Sequence, residues 1–279
     1  MKYSEYKLNA IVLDDKATEF FPKTEAKIRS KAFPDHFTRS NDGIPVFDQG
    51  WMGSCVGASG KVVVRDRCFP LLDLSALWIY TRAKHYDAWD GVEYSGTSIL
   101  GACIALQKEG VATEEEAPYK TEENVSFPMD AVIEASKRKI NSFAQIPTDS
   151  TDAIKGYLMD YGRLWTAFNV HEQFYTTNIY GMMQDEGAYL SSKYCGGHAV
   201  ALTGWKTENG KTYWEFQNSW GKRFGNGGYF YISESLYRKI SPSFYCVSNE
   251  GEPKRYGLAI MYVLKIIESI KRLFGRFFK

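Results

Sequence analysis

The chain has 279 residues, enough to bury about three-quarters of its unfolded surface as one domain or two. Hydrophobic residues make up 44% and charged residues 24% of it, which excludes a disordered, collagen-like or coiled-coil protein. The formal net charge of +1 argues against a wholly basic nucleic-acid-binding protein.

The residues from Met1 to Asp15 carry scattered charges and no long apolar run, so no secretory signal peptide is expected. No stretch approaches the ~20 apolar residues that a membrane-spanning helix needs. The five cysteines are widely spaced and form neither a CxxC nor a Cys/His zinc pattern. We therefore expect a cytoplasmic or other reducing compartment, a virion being left open, with no metal and no cofactor.

Helices are predicted to dominate the first half of the chain. Residues 1–48 contain prolines that break long helices, and they are expected to form an extended N-terminal segment. Residues 49–150 are expected to form a helical subdomain. Its apolar periodicity predicts three helices, at Cys55–Arg67, Leu74–Tyr86 and Ser98–Lys108. Gly57 and Gly60 weaken the first helix but suit one that packs closely between other elements.

Strands are predicted to dominate residues 151–248, after one more helix at Thr151–Tyr161. Aromatic and β-branched runs predict four strands, at Leu164–Val170, His198–Trp205, Thr212–Asn218 and Gly228–Ile232. The turn Glu208–Lys211 predicts a hairpin between two of them. Helices followed by strands indicate an α+β protein with two segregated subdomains, and the cleft between them is the expected place for a site.

Three short motifs carry the residue types of nucleophilic catalysis. Gln49–Cys55 is a glycine-containing turn that delivers a cysteine to a predicted helix start. Gly196–Val200 places a histidine at the start of an apolar strand, and Gln217–Gly221 contains an asparagine followed by serine and tryptophan. A cysteine attacks as the thiolate, and a helix N-terminus and an imidazolium both lower its pKa. An amide oxygen can hold the imidazole in one orientation, and an amide N–H can stabilise an oxyanion.

These motifs together resemble the papain-like cysteine proteases. That family carries a nucleophilic cysteine with histidine and asparagine about 130–150 residues downstream. Here His198 follows Cys55 by 143 residues and Asn218 follows it by 163, slightly beyond that range. Gln49 precedes Cys55 by six residues, like the family's oxyanion-hole glutamine, and the residues Asn218 to Gly221 look like its Asn-Ser-Trp-Gly motif.

The resemblance implies a papain-like fold, with a helical half, a β-barrel-like half and the active-site cleft between them. It implies an endopeptidase in which Cys55 attacks, His198 transfers protons, Asn218 orients His198 and Gln49 stabilises the oxyanion. It further implies that Trp220 shields the His–Asn pair. Substrate-binding positions are implied at Gly96, Thr97 and Gly197, and the expected partner is a polypeptide substrate.

The chain also departs from the secreted members of that family. Met52 stands where they carry a disulfide cysteine, Val56 replaces the aromatic residue after the nucleophile, and only 54 residues precede Cys55. The sequence thus looks like the disulfide-free branch found in bacteria, archaea and their viruses, and it makes the autoinhibition of secreted proenzymes questionable.

Other functions remain open from the sequence. The same machinery could act on isopeptide or cell-wall amide bonds or catalyse transpeptidation, or the chain could be a silent papain-like module. Residues 249–279 form a predicted basic amphipathic tail, with five basic residues and one acidic residue from Tyr256 onward. Residues 256–279 could bind a membrane, a protein partner or their own domain.

Overall fold

The computed structural model describes residues 7–10, 33–87, 89, 91–123, 125–146, 150–177, 186–241 and 244–249. The predicted amphipathic tail lies outside the described residues. Within them, no helix combines the length and the apolar character that crossing a membrane requires.

Helices supply most of the structure before residue 140 and flank the sheet after it. Their bounds are α1 Cys55–Arg67, α2 Ala76–Ala83, α3 Ile99–Lys108, α4 Met129–Ser136, α5 Thr151–Tyr161, α6 Glu186–Ser191 and α7 Glu234–Ile240. Two 3₁₀ segments follow α2 and the third strand, at Lys84–Tyr86 and Glu172–Thr176. The serine before each of α2, α3, α5 and α7 accepts a hydrogen bond from a first-turn amide, so serine caps set where these helices begin.

The strands form one antiparallel sheet in the order β2-β7-β3-β4-β5-β6, with β1 paired to β4. Their bounds are β1 His36–Thr38, β2 Ser142–Ile146, β3 Leu164–His171, β4 Tyr194–Glu208, β5 Lys211–Gln217, β6 Tyr229–Ser233 and β7 Phe244–Ser248. Asn209 and Gly210 both have positive φ, which the tight turn between β4 and β5 requires. The predicted hairpin and the α+β fold are therefore confirmed.

Most elements agree with the sequence-based expectations, and the differences have local causes. The predicted helices at Cys55–Arg67 and Thr151–Tyr161 coincide with α1 and α5. The helix expected from Leu74 begins only at Ala76, because Ser75 caps it. The strand expected from His198 begins at Tyr194, because both glycines before His198 are paired with β3. The pattern did not predict β1, β2, β7, α4, α6 or α7.

Helix α1 is packed tightly between helix α2 and strand β3, and this packing places its first residue, Cys55. A methyl group at Gly57 would lie 2.2 Å from the Ala76 carbonyl oxygen, and one at Gly60 would lie 2.5 Å from the Trp165 ring. Only glycine permits such approach, as the sequence had indicated. The first ten residues of α1 are all buried.

A buried ion-pair network joins the helical side to the sheet. Arg163, which precedes β3, is fully buried and donates to both carboxylate oxygens of Asp42. Its Nη1 also lies 3.2 Å from Asp66 of α1, and its main-chain N–H donates to the same carboxylate. Because leaving any one of these charges unpaired in the interior would be costly, the network fixes α1 against β3.

Candidate active site

Cys55 is the first residue of α1 and is fully buried. Main-chain N–H groups of Ala199, Asn9, Val56 and Ala10 face its sulfur. Burial raises the pKa of the Cys55 thiol, and these four amides act in the opposite direction because they favour the thiolate. Ala199 directly follows His198, so the sulfur lies against the part of β4 that carries the histidine.

The His198 ring is held by Asn218. Its Nε2 lies 2.7 Å from Asn218 Oδ1, which also accepts the Ser219 main-chain N–H at 2.8 Å. An oxygen facing Nε2 requires the proton to be on that nitrogen, so the neutral ring keeps its lone pair on Nδ1. Among the described residues, this buried Nδ1 has no hydrogen-bond partner. The ring therefore offers a proton acceptor on the side turned away from Asn218.

Aromatic rings enclose His198. The Trp220 ring is 4.8 Å from the imidazole, and the Phe168 and Phe174 rings are 6.1 and 6.3 Å away. The Tyr175 ring stacks on the Trp220 ring, with their centroids 5.8 Å apart. Burial lowers the pKa of His198 to about 4, although the hydrogen bond to Asn218 raises it. In this closed structure the imidazole is neutral.

We expect this buried neutral histidine to make the folded protein acid-sensitive. The pKa of His198 is about 4 in the folded chain and ~6.5 when unfolded, so its contribution is present above pH 6.5 and lost as the pH falls toward 4. The free energy of unfolding should fall by about 2–3 kcal/mol between pH 7.5 and 4.5 from this residue alone. Urea unfolding of the wild type and of His198→Gln at both pH values isolates that loss, and equal losses in the two proteins would contradict the prediction.

Gln49 lies beside Asn218 although 169 residues separate them. Ser219 Oγ donates to Gln49 Oε1 at 2.5 Å, and the Gln49 main-chain N–H donates to the Ser219 carbonyl at 2.9 Å. Gln49 Nε2 donates one of its two hydrogens to the Met52 carbonyl at 2.8 Å. The structure thus brings Gln49, Asn218 and His198 together, and the Cys55 sulfur lies against the main chain of Ala199, the residue after His198.

Tyr119 is a site residue whose role the sequence did not indicate. Its hydroxyl donates to the Gln49 carbonyl at 2.8 Å and lies 2.6 Å from Ser54 Oγ. It therefore ties together the two ends of the turn that carries Gln49 and Cys55. Nothing in the sequence around Tyr119 indicates a contact with Ser54.

The predicted substrate-binding residues surround a stretch of the chain itself. Ala10 pairs with Thr97 in a parallel bridge, and its N–H donates to the Gly197 carbonyl at 2.9 Å. Gly96 has a φ of +93°, and a methyl group on it would lie 2.0 Å from the Asn9 carbonyl oxygen. An extended polypeptide therefore reaches the buried sulfur of Cys55 between these residues.

Among the described residues, the cysteines and the acidic side chains elsewhere do not converge on another centre. All five cysteines are unpaired thiols. In the part of the chain that the structure describes, no three His, Cys, Asp or Glu side chains are placed to hold a metal ion. A thiol at a helix N-terminus, next to an imidazole held by a carboxamide, defines a cysteine-nucleophile site suited to acyl transfer.

Comparisons with known proteins agree with this class. The profile of the papain family cysteine proteases matches residues 38–242, and the chain belongs to that family. It is 36% identical over 141 residues, or 50% of the chain, to cathepsin B-like cysteine proteinase 3 of Caenorhabditis elegans. It is 30% identical over 196 residues, or 67% of the chain, to cathepsin B-like CP3 of Giardia intestinalis. These matches span 34% and 63% of the two relatives' own lengths.

The fold is also that of solved family structures. Xylellain, a cysteine protease from Xylella fastidiosa, superimposes with a TM-score of 0.67 over 88% of this chain and 92% of xylellain. The two sequences are 20% identical, so the likeness concerns the fold. It confirms the papain-like arrangement of helices and antiparallel sheet.

Proposed function

We propose that this chain is a cysteine endopeptidase that hydrolyses peptide bonds of polypeptide substrates through an acyl-enzyme. The observation that carries the proposal is the hydrogen bond from His198 Nε2 to Asn218 Oδ1 at 2.7 Å, which leaves Nδ1 as the basic nitrogen of the ring. The proposed pairing of His198 with Cys55 is supported by the Ala199 amide, which follows His198 in β4 and faces the Cys55 sulfur.

In the first half of the reaction, His198 Nδ1 takes the proton of the Cys55 thiol, and the sulfur attacks the scissile carbonyl carbon. The oxyanion accepts hydrogen bonds from the Cys55 main-chain N–H and from the second Nε2 hydrogen of Gln49. The protonated imidazole then gives its proton to the leaving amine, the C–N bond breaks, and the acyl group stays on sulfur.

In the second half, His198 takes a proton from water as its oxygen attacks the thioester carbonyl. The C–S bond then breaks, the carboxylic acid product leaves, and the imidazolium returns its proton to the Cys55 sulfur. Asn218 holds the imidazole in the required tautomer throughout, and Trp220 covers that hydrogen bond from solvent. Ser219 and Tyr119 act as positioning residues, because both hold the turn that carries Gln49. Gly96, Thr97 and Gly197 pair with the substrate main chain.

The cysteines bear on the compartment in which the chain acts. We propose a reducing compartment, because two of the five free thiols, Cys68 and Cys195, are only partly buried and no pair forms a disulfide. Residues 256–279 are proposed to contact a membrane or a protein partner through their basic, apolar pattern.

A peptide-library cleavage assay tests the proposed activity. Wild type and an Ala10→Pro variant are compared, since proline removes the N–H that donates to Gly197 inside the cleft. We expect the variant to cut peptides and an epoxysuccinyl reagent to modify Cys55 stoichiometrically. Cys195→Ala in the same background is the matched control, because Cys195 is a partly exposed thiol three residues from His198. If the wild type and the Ala10→Pro variant are both folded and neither cuts any peptide of the library, the chain is not an endopeptidase.

A further inference from the structure

Residues Ser95–Ser98, here called the substrate wall, line the cleft and belong to no helix or strand of the described chain. Thr97 pairs with Ala10 in the parallel bridge, and a methyl group on Gly96 would lie 2.0 Å from the Asn9 carbonyl oxygen. The structure therefore shows an extended main chain in contact with this wall. Because the wall has no regular hydrogen bonding of its own, side chains outside it must set its shape.

Asp87 holds the end of the wall that leads into α3. Its Oδ2 accepts hydrogen bonds from the hydroxyls of Thr97 at 2.5 Å and Tyr94 at 2.9 Å. Its Oδ1 accepts the Ser98 main-chain N–H at 3.1 Å and also the Ser98 hydroxyl. Ser98 in turn caps α3, because its Oγ accepts the Gly101 N–H at 2.9 Å. One carboxylate thus fixes two consecutive residues of the wall and the start of the helix that follows.

Tyr80 of α2 holds the middle of the wall. Its hydroxyl accepts the Gly96 main-chain N–H at 3.1 Å and donates to Glu123 Oε2 at 2.8 Å. Lys84 is 2% exposed, and its ammonium donates to the same Glu123 oxygen and to the Tyr94 carbonyl, both at 2.7 Å. The Lys84 nitrogen also lies 4.5 Å from the centre of the Tyr80 ring. A buried ion pair therefore fixes the hydroxyl that receives the Gly96 N–H.

We infer that Asp87 and Tyr80 are positioning residues for substrate binding, which hold the substrate wall in the shape that pairs with an extended polypeptide. The inference rests on the proposed function and adds to it the groups that prepare the cleft for a peptide main chain. Both residues act through the wall, whereas Cys55 is placed by α1 and His198 is held by Asn218.

This arrangement has a distinct kinetic consequence. A wall that is ordered before the substrate arrives costs no conformational entropy when the substrate binds. A wall released from its contacts has to be ordered by the substrate, which raises KM and leaves the chemical step unchanged. An acetyl ester carries no peptide main chain, so its reaction with Cys55 does not depend on the wall.

Tyr80→Phe is the smallest test, because it removes one hydroxyl and keeps the buried ring. All variants are made in the Ala10→Pro background, and kcat/KM is measured on a cleaved library peptide and on p-nitrophenyl acetate. The ratio of the two values cancels any change in access to Cys55. We expect this ratio to fall about 5- to 10-fold through KM, with kcat on the peptide within about twofold. Tyr86→Phe is the matched control, because its hydroxyl also donates to a glutamate, Glu109, at 2.6 Å but does not hold the wall. Its ratio should change less than about twofold.

Asp87 offers a graded test. Asp87→Ala removes all four hydrogen bonds and should lower the same ratio by about 10- to 100-fold. Asp87→Asn should lower it by no more than about fivefold, because the amide oxygen still accepts the Ser98 N–H and the amide NH₂ can donate to the two hydroxyls at Oδ2. A role in folding alone would reduce the fraction of protein that the epoxysuccinyl reagent titrates and would leave the ratio unchanged. Folded Asp87→Ala and Tyr80→Phe proteins that keep the ratio of their background would overturn the inference.

Peptide binding measured without hydrolysis separates this inference from the proposed function. The probe is a fluorescently labelled peptide of residues 4–13, because Asn9 and Ala10 of that sequence contact the wall. Its Kd is measured by anisotropy with the full chain carrying Cys55→Ala and Ala10→Pro. We expect Tyr80→Phe to raise this Kd about 5- to 10-fold and Tyr86→Phe to change it less than about twofold.

The two failures give different results. A weaker Kd in the Tyr80→Phe protein, from a chain that hydrolyses no peptide, would support the role of the wall and exclude the endopeptidase. Equal affinities of the Tyr80→Phe protein and its background, in a chain that does hydrolyse peptides, would overturn the inference and leave the endopeptidase standing.

Discussion

A Cys55→Ala variant, made in the Ala10→Pro background, is expected to hydrolyse peptides at least about 10⁴-fold more slowly than that background. The sulfur forms the bond to the acyl group, and no other described nucleophile lies at the start of α1 beside His198. Water activated by His198 is the remaining route, and it lacks the acyl-enzyme step. The measurement is kcat/KM on a peptide found in the library profile.

The loss has to come from chemistry and not from unfolding. Alanine removes one buried sulfur from a position whose side chain is small, so the free energy of unfolding should change by less than about 2 kcal/mol. Cys195→Ala in the same background should keep kcat/KM within about twofold, since surface changes away from the reacting atoms have small effects. Hydrolysis that persists in a folded Cys55→Ala protein would show that the proposed mechanism is wrong.

The second large effect is expected from Gly57→Ala, two residues after the nucleophile. The new methyl group would lie 2.2 Å from the Ala76 carbonyl oxygen and 2.9 Å from Tyr80 Cβ. The Ala76 carbonyl belongs to the main chain and cannot rotate aside as a side chain could, so α1 must shift away from α2. Overpacking costs about 1–3 kcal/mol or more, while the better helix propensity of alanine returns about 1 kcal/mol. We expect a net loss of about 2 kcal/mol in urea unfolding.

The same shift should reach the active site. Cys55 begins the helix that moves, and a displacement of about 1 Å from productive geometry can cost about 100-fold in rate. Gly43→Ala is the control, because its methyl group would meet nothing within 4 Å and would add only the strain of a φ of +80°. If Gly57→Ala matched this control in both stability and kcat/KM, the tight contact of α1 with α2 would not matter.

Local patterns in the sequence were sufficient for the elements whose signals are local. The apolar spacing of Cys55–Arg67 and Thr151–Tyr161 predicted both helices with their observed bounds. The Asn209-Gly210 pair predicted the hairpin, because its two positive φ values follow from the residue types. Strand β2, Ser142–Ile146, was missed, because what makes it a strand is its pairing with Phe244–Ser248, about 100 residues away.

The candidate site was also predictable only in part from the sequence. The residue types at Gln49, Cys55, His198 and Asn218 indicated the chemistry, and family spacing indicated their grouping. The orientation of each side chain could not be predicted from the sequence. That Ser219 holds Gln49, and that Tyr119 joins Gln49 to Ser54, depends on side chains brought together from 65 to 170 residues apart.

By itself, the sequence determined which functional groups are present, which turns and helices form, and therefore the class of chemistry open to the protein. Only the tertiary structure decided that Asn9 and Ala10 lie against Cys55, with their N–H groups toward the sulfur. The reason is physical: hydrogen bonding within a helix or turn depends on neighbours in sequence. The partner of an extended segment is selected by packing between distant parts of the chain once the whole of it has folded.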